Sequence, residues 1–287
     1  MCRSCKIRGI KKFSIVFGRD FKTLRIREIM TEDVIYVDKD EDLTHVIDLM
    51  KKHNITKIPV VEDKKIVGII TDRMISYKLG SIRSRMISTS RLHASSVTKK
   101  DIKTVDPDMD VKKIFTDIGV KNIEILPVVD KGNRLCGVVT KADLLDLVDD
   151  RKTMVGEIMS KNIITIFPDD RIVHARRIMF DKNISRLPVI SSENRKIVGI
   201  LAEMEVASAF VELKHLYRVS RQKHHLESLI VSEYMKKPVI TNYKDISVKE
   251  AANIMKNEDI GCLPVVDDNS LLIGIVTRTD LLNTVSI

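Results

Sequence analysis

The strongest constraint on the fold of this chain is a pattern of residues that occurs four times. Each copy contains an apolar residue followed by Pro-Val, and these tripeptides are Ile58–Val60, Leu126–Val128, Leu187–Val189 and Leu263–Val265. An apolar residue stands sixteen positions before each of these prolines, at Leu43, Val111, Ile172 and Val248. A glycine follows each proline by nine to eleven positions, at Gly68, Gly137, Gly199 and Gly274. A pattern kept in register over four copies predicts a repeat protein.

The secondary structure of each copy follows from its hydrophobic pattern. In the first copy the apolar positions have the spacing of one helix face, at Leu43, Val46, Ile47 and Met50. Two strands rich in Val and Ile follow, joined by a polar turn. A further strand precedes each helix, as at Ile102–Val105 and Ile163–Ile166, and a second helix ends each copy, as at Lys141–Val148. The predicted fold class is α/β (α+β), with four β-α-β-β-α repeats of about 55 residues.

The repeats divide the chain into a basic N-terminal extension and four domains. The extension covers residues 1–26, and the repeats cover 27–80, 94–148, 156–210 and 232–285. A unit of this size buries too little surface to be stable alone. We therefore expect the sheets of adjacent copies to pair, which gives two modules. No apolar run approaches the roughly 18 residues of a membrane span, so we expect a cytoplasmic protein without a membrane partner.

A short motif begins at each of the four glycines. Its versions are Gly68–Met74, Gly137–Asp143, Gly199–Glu205 and Gly274–Asp280. The pattern of Gly, two apolar residues, Thr, two variable residues and Asp resembles that of CBS (cystathionine-beta-synthase) domains. The resemblance extends from Arg27 to Val285 and implies two Bateman modules, each formed by a pair of repeats. The second and fourth versions match fully, whereas Met74 replaces Asp in the first, and Ala202 and Glu205 replace Thr and Asp in the third.

The two intact motifs contain the residue types that a nucleotide site requires. Asp143 and Asp280 can accept hydrogen bonds from a ribose diol, and Thr140 and Thr277, each at a predicted helix N-terminus, suit a phosphate. The same Thr-x-x-Asp spacing is also a helix capping pattern. In an isolated copy the cap is the better interpretation, and the family resemblance shifts the interpretation towards ligand binding.

A second repeated position adds basic residues to the predicted nucleotide site. The residues two positions before each repeated proline are Lys57, Ile125, Arg186 and Cys262. In related CBS proteins, including the gamma subunit of the AMP-activated protein kinase, a basic residue there reaches a nucleotide phosphate, and the ribose Asp comes from the paired repeat. The resemblance therefore implies that Lys57 faces Asp143 and that Arg186 faces Asp280.

Three threonines are further candidates for ligand contact. Thr104, Thr165 and Thr241 occupy the position at which, in the family, the first strand lines the cleft beside the base, and Tyr36 replaces them in the first copy. The alternative is that these β-branched residues only stabilise a strand. The sequence leaves both interpretations open.

The net charge of +9 is distributed unevenly. Residues 1–27, 73–100 and 211–225 carry +8, +7 and +3, so the rest of the chain is acidic. A uniformly basic nucleic-acid-binding body is therefore excluded, although contact with RNA or DNA through the tail and linkers is an alternative. Cys2 and Cys5 have ligand-like spacing but no second pair nearby, so reduced thiols are expected rather than a zinc site.

Catalysis has no support in the sequence, because no Ser-His-Asp, paired-carboxylate or phosphate-loop arrangement occurs. We expect a non-catalytic regulatory protein that binds an adenine nucleotide (AMP, ADP or ATP) in clefts between paired repeats and modulates an unknown partner protein. A ligand of the S-adenosylmethionine type is the alternative. No catalytic residue, required cofactor or metal is expected, and a homodimer is left open.

Overall fold

The fold was analysed in a computed structural model that describes residues 24–80, 92–149, 152–216 and 228–286. The strands within these ranges are β1 Val37–Asp38, β2 Lys57–Glu62, β3 Lys65–Thr71, β4 Leu126–Val129, β5 Leu135–Val139, β6 Arg186–Ile190, β7 Ile197–Ala202, β8 Cys262–Val266 and β9 Leu272–Thr277. The α-helices are α1 Ile26–Ile29, α2 Leu43–Lys52, α3 Asp72–Gly80, α4 Val155–Ile158, α5 Ile172–Asp181, α6 Glu203–Leu216, α7 Val231–Tyr234, α8 Val248–Asn257 and α9 Arg278–Leu282. Most of the basic extension, with Cys2 and Cys5, and the basic linker residues 81–91 and 217–227 lie outside the described residues. Among the helices that are described, none has the length and apolar composition needed to cross a membrane.

Each repeat is built on one antiparallel hairpin, and the repeated sequence pattern has the same place in all four. The hairpins are β2–β3, β4–β5, β6–β7 and β8–β9. In each hairpin the valine after the repeated proline pairs with the motif glycine, as Val60 does with Gly68. The register shifts immediately after this pair in every copy. All four hairpins therefore have a β-bulge at the same place. The number of residues between proline and glycine differs among the copies only between this bulge and the turn.

The strand that precedes each long helix is shorter than the sequence predicts. In repeat one, Val37–Asp38 pairs in parallel with β2. The other repeats have one parallel bridge each in this place, formed by Val105, Ile166 and Asn242. The predictions of strands at Ile102–Val105 and Ile163–Ile166 are therefore wrong in length. The missing pairing lies upstream of the bridges, where Lys103 and Thr104 are exposed and the N–H of Ile163 donates to the carbonyl of Lys161 rather than to a strand.

Repeat two also departs from the two regular helices predicted for it. Its first helix is largely a π-helix at Ile114–Ile118, which ends at Gly119 with a φ of 79°. The segment predicted as helix at Lys141–Val148 forms turns and a 3-10 helix at Leu145–Leu147. The carboxylate of Asp149 at the C-terminal end opposes a longer helix there, because that end of a helix favours cations.

The apolar helix stripes form the core of the repeats, as predicted. The four stripe residues of α2 have no exposed surface, and they are Leu43, Val46, Ile47 and Met50. The stripe of α8 is at most 2% exposed. The carboxylate of Asp42 accepts hydrogen bonds from the N–H groups of Thr44 and His45, and Ser247 caps α8 through the N–H of Glu250. These caps fix where the helices begin, and therefore which face is buried.

The segment that begins each repeat packs onto the partner repeat. Helix α1 lies in the core of repeat two, α4 lies against repeat four, and α7 lies against repeat three. Four antiparallel bridges hold these exchanged segments, and they are Thr31–Val138, Lys99–Ile69, Ser160–Ile275 and Lys236–Ile200. Repeats one and two, and repeats three and four, therefore form two intertwined pairs, as the resemblance implied.

The motif glycines allow this exchange because the incoming segment lies directly over them. In three repeats a methionine of the exchanged segment covers the glycine, in the pairs Met30–Gly137, Met235–Gly199 and Met159–Gly274. In repeat one the methyl group of Thr98 and the backbone carbonyl of Lys99 lie over Gly68 instead. A side chain on any of these glycines would overlap with the exchanged segment, which explains why glycine occupies the position in all four copies.

The two pairs contact each other through their helices. Helices α3 and α6 join repeats one and three in one hydrophobic core, and a second core joins repeats two and four. Ion pairs accompany both contacts, with 3.1 Å between Lys51 Nζ and Glu212 Oε1 and 2.5 Å between Lys256 Nζ and Asp146 Oδ1. Each core thus contains side chains from one repeat of each module. The two modules are therefore packed against each other through common hydrophobic cores.

We expect Gly68→Ala to destabilise the fold more than Gly137→Ala. A Cβ at position 68 would overlap with the carbonyl of Lys99, which accepts a 3.1 Å hydrogen bond from the Ile69 N–H and cannot move alone. At position 137 the nearest atom is the Sδ of Met30 at 2.7 Å, and this side chain can change rotamer. Chemical denaturation should show a loss of about 1–3 kcal/mol for the first variant and a smaller loss for the second. Equal losses would contradict the assignment of Lys99 as the rigid neighbour.

Candidate ligand-binding site

The aspartates of the two intact motifs cap the segments that follow them. Asp143 Oδ2 accepts hydrogen bonds from the N–H and the hydroxyl of Thr140, at 2.7 and 2.8 Å. Asp280 Oδ2 accepts the same pair from Thr277, at 2.8 and 2.7 Å. Asp143 Oδ1 accepts a longer bond of 3.3 Å from the hydroxyl of Thr31. The cap therefore uses Oδ2 of each carboxylate, and in Asp143 it leaves Oδ1 with the longer bond from Thr31.

A cleft is defined here as the space between a motif and the exchanged segment that crosses it, and each is named by its last motif residue. The four are the Met74, Asp143, Glu205 and Asp280 clefts. The bridged residue of the exchanged segment is Thr31 in the Asp143 cleft and Ser160 in the Asp280 cleft. It is a lysine in the other two, Lys99 in the Met74 cleft and Lys236 in the Glu205 cleft. The two clefts with an intact motif are therefore also the two with a hydroxyl at this position.

Lys57 is surrounded by charges from the other repeats. Its Nζ donates a 3.2 Å hydrogen bond to Thr56 Oγ1. Burial lowers the pKa of Lys57, Asp72 acts against this, and the positive charges of Arg186 and Arg278 lower the pKa further. The side chain thus lies where repeats one, three and four approach one another.

Arg186 of repeat three extends towards repeat four. Its guanidinium packs against Gly261, at the point where a Cβ would stand. Among the described residues no direct hydrogen bond or ion pair joins Lys57 to Asp143, or Arg186 to Asp280. The charge of Arg186 acts on Lys57, so the two predicted cations lie near each other, and in the described part of the chain neither contacts its predicted carboxylate.

Lys141 is a candidate residue that the sequence reasoning missed. It stands directly after the motif threonine of repeat two, and its Nζ donates a 2.7 Å hydrogen bond to Thr279 Oγ1 in repeat four. Burial lowers the pKa of Lys141, and the charges of Lys57 and Arg186 add to this effect, whereas Asp280 opposes it. Lys141 therefore links the two intact motifs across the modules.

Arg278 is the equivalent residue of repeat four, and it was missed as well. Its Nη2 lies 3.4 Å from Asp259 Oδ1, while its Nε is buried without a hydrogen-bond partner among the described residues. Burial raises the pKa of Asp143, and the charge of Arg278 acts against this from the other module. The signal was present in the sequence, because the residue after the motif Thr or Ala is basic in repeats two and four and acidic in repeats one and three.

The acidic counterparts are Asp72 and Glu203, which lie between repeats one and three. Arg73 Nε donates to both carboxylate oxygens of Glu203, at 2.9 and 3.1 Å. Burial, followed by the charge of Asp72, raises the pKa of Glu203 to about 7. Burial also raises the pKa of Asp72, although Lys57 opposes it. The two acids thus face cations, Lys57 in the case of Asp72 and Arg73 in the case of Glu203.

The three candidate threonines have different surroundings. Thr241 lines a groove of about 550 Å³ together with Lys196, Lys237 and apolar residues that include Val239. Thr165 is half-buried and Thr104 is exposed, and neither lines that groove. Of the three candidate threonines, Thr241 is therefore the one that lines this groove, which lies between repeats three and four.

The arrangement defines a class of tandem-repeat protein in which α/β repeats are intertwined in pairs and each pair has two clefts. The chain belongs to the CBS domain family. The model of this family matches residues 26–80, 94–150, 155–212 and 231–287.

Archaeal relatives match most of the chain. Protein MJ1404 of Methanocaldococcus jannaschii is 28% identical over 271 residues, which cover 91% of this chain and 62% of that protein. Protein MJ1225 of the same organism is 27% identical over 256 residues, which cover 81% of this chain and 88% of MJ1225. The crystal structure of MJ1225, which was proposed to be an archaeal homolog of g-AMPK, has a TM-score of 0.77 at 24% identity and covers 92% of this chain and 100% of its own. That likeness shows the fold.

A homoserine O-acetyltransferase of Methanococcus vannielii matches a smaller part of the chain. It is 35% identical over 134 residues, which cover 47% of this chain and 25% of the enzyme. The chain therefore spans a quarter of this enzyme and less than two thirds of MJ1404. The match concerns a part of the enzyme only and assigns no acetyl transfer to this chain.

We expect the stability of the protein to fall as the pH rises from about 4.5 to 7 and to change little with this group above that range. The pKa of Glu203 in the folded protein, about 7, lies above its value of 4.5 in an unfolded chain, so its contribution is present at low pH and is lost as the pH approaches the folded pKa. Glu203→Gln should reduce this fall, by on the order of 1–3 kcal/mol. Denaturant midpoints at pH 5, 6, 7 and 8 would measure it.

Glu193→Gln is a matched control, because Glu193 is exposed on the turn between β6 and β7. This variant should keep the pH dependence of the wild-type protein. If Glu203→Gln keeps it as well, the ionisation of Glu203 does not control stability in this range.

Proposed function

We propose that this chain is a non-catalytic regulatory protein that binds adenine nucleotides in the Asp143 and Asp280 clefts. The observation that carries the proposal is the coincidence of four features in these clefts. Each has a motif aspartate, a hydroxyl on the exchanged segment, a threonine at the turn and a buried cation directly after that threonine. The Met74 and Glu205 clefts lack this combination.

The carboxylates are suited to a ribose. A vicinal diol has two donors, and a carboxylate with a free oxygen accepts them through charge-assisted hydrogen bonds, which are stronger than neutral ones. Asp143 Oδ1 is engaged only by the 3.3 Å contact with Thr31, a hydroxyl that can rotate away or join the ligand. The proposal assigns Asp143 and Asp280 to ribose binding, and Thr31 and Ser160 to the same end of the clefts.

The central cations favour a ligand that carries phosphate. Burial lowers the pKa of Lys57, Lys141 and Arg278, and the positive charge of Arg186 lowers each of them further. A bound anion would offset the free-energy cost of burying these cations and would reduce the repulsion between them. It could also accept a hydrogen bond from the unsatisfied Nε of Arg278. S-Adenosylmethionine has a positive sulfonium and would add to the repulsion. AMP, ADP or ATP is therefore the favoured ligand class, with Lys57, Lys141, Arg186 and Arg278 at the phosphate end.

The proposed regulation follows from the position of the cations, some of which belong to the module opposite the motif aspartate. A nucleotide held by Asp143 of one module and by cations of the other would bind best to one arrangement of the two modules, and binding would favour that arrangement. A partner protein that contacts both modules would sense the change. The proposal extends to a partner protein of unknown identity and a cytoplasmic location, leaves a homodimer open, and assigns Thr104, Thr165 and Thr241 to contact with the base.

Asp143→Ala and Asp280→Ala should each remove one of two nucleotide sites. Each loses a charge-assisted acceptor, which corresponds to roughly 10- to 100-fold in affinity at that cleft. Calorimetric titration with AMP should give a stoichiometry of two for the wild-type protein, one for each single variant and none for the double variant. The lost cap costs about 1 kcal/mol of stability, so thermal unfolding should accompany the titration.

Met74→Ala is the control for this series, because Met74 occupies the aspartate position in a cleft without an acid. Its stoichiometry should stay at two. A loss of binding in Met74→Ala as large as in Asp143→Ala would refute the assignment of the sites, and no binding of any adenine nucleotide to the wild-type protein would refute the function.

Lys57→Met should separate phosphate binding from nucleoside binding. The variant keeps a long side chain and removes the charge, so AMP affinity should fall roughly 10-fold or more, while adenosine affinity stays within about threefold. Competition titrations with both ligands would measure this. An equal loss for AMP and adenosine would mean that Lys57 supports the fold of the cleft rather than the phosphate.

A further inference from the structure

One position of the exchanged segments divides the four clefts in two groups. In each cleft one residue of the exchanged segment forms a β-bridge with the strand that begins the motif. This residue has a hydroxyl side chain in two clefts and is a lysine in the other two. The division matters most in the Glu205 cleft, because that cleft still has a motif carboxylate. The sequence of repeat three alone suggests a conservative change from Asp to Glu.

Both carboxylate oxygens of Glu205 are already engaged. Oε2 accepts a 3.1 Å hydrogen bond from the N–H of Ala202, which is the cap of α6. Oε1 lies 3.2 Å from the Nζ of Lys236 on the exchanged segment. The side chain of Glu205 is 11% exposed and that of Lys236 is 63% exposed. The ammonium thus covers the oxygen that corresponds to the ligand-facing oxygen of Asp143.

We propose that Lys236 excludes ribose from the Glu205 cleft and so limits this chain to two nucleotide sites, an inference that rests on the proposed function. A diol needs an acceptor, and the one acceptor oxygen left by the cap is paired with a cation. Lysine offers donors only, whereas Thr31 and Ser160 can both donate and accept. To bind a ribose, the cleft would have to break an ion pair at a mostly buried carboxylate.

The Met74 cleft provides a matched comparison. Lys99 holds the same bridged position there and lies 3.4 Å from Glu124 Oε2. Removing this lysine would free Glu124 but no motif carboxylate, because Met74 stands at the motif position. Lys99→Thr should therefore add no site, whereas Lys236→Thr should uncover the carboxylate of Glu205.

The test is the stoichiometry of AMP binding to the full chain, by calorimetry and native mass spectrometry. The expected values are two for the wild-type protein, three for Lys236→Thr, and two for Lys236→Arg and Lys99→Thr. Lys236→Thr combined with Glu205→Asp serves as a second variant that matches the Asp143 cleft more closely. The proposal is supported if either Lys236→Thr variant binds three equivalents.

Two results would overturn the proposal while leaving the function intact. One is a stoichiometry of two in both Lys236→Thr variants, provided that their thermal unfolding remains cooperative. The other is a wild-type protein that already binds three equivalents and loses one on Glu205→Ala. A wild-type protein that binds no adenine nucleotide would instead refute the proposed function itself, so the two failures are distinguishable.

Discussion

The packing of each exchanged segment onto the glycine of its partner repeat is the contact on which the rest of the structure depends. It holds the repeats together in intertwined pairs, because methionine side chains or a backbone carbonyl occupy the space that a Cβ would need. It also brings residues such as Thr31 beside Asp143, more than a hundred positions away. Every cleft is therefore composite, and none exists in an isolated repeat.

The second constraint is electrostatic and acts where the modules meet. The charge of Arg186 acts on Lys141 and Arg278 of repeats two and four and on Asp72 and Glu203 of repeats one and three, and all four are partly or fully desolvated. Burying charges costs free energy unless they are paired, and the pairing here is incomplete, as the unsatisfied Nε of Arg278 shows. In the proposed function an anion acts at this contact, and the ionisation of Glu203 acts there as well.

Features that depend on local spacing or on the repetition of one pattern could be predicted from the sequence. Individual side-chain contacts between distant repeats could not. The hairpin pairs, the buried stripe of α2 and the pairing of repeats follow from spacing and repetition, since these depend on neighbours in the chain or on copies of one pattern. The hydrogen bond from Lys141 to Thr279 joins residues 138 positions apart, and no local pattern specifies it. The candidate role of Lys141 was still accessible, because alternation of charge at one motif position is visible when the four copies are aligned.

A motif acid alone does not define a ligand site in this architecture. Glu205 and Asp143 both cap the segment that follows them, and a comparison of the two motifs finds only a longer side chain in one. The difference lies in what the partner repeat contributes, a hydroxyl from Thr31 in one case and the ammonium of Lys236 in the other. Because that residue belongs to another repeat, the smallest unit from which ligand chemistry can be judged is the pair of repeats.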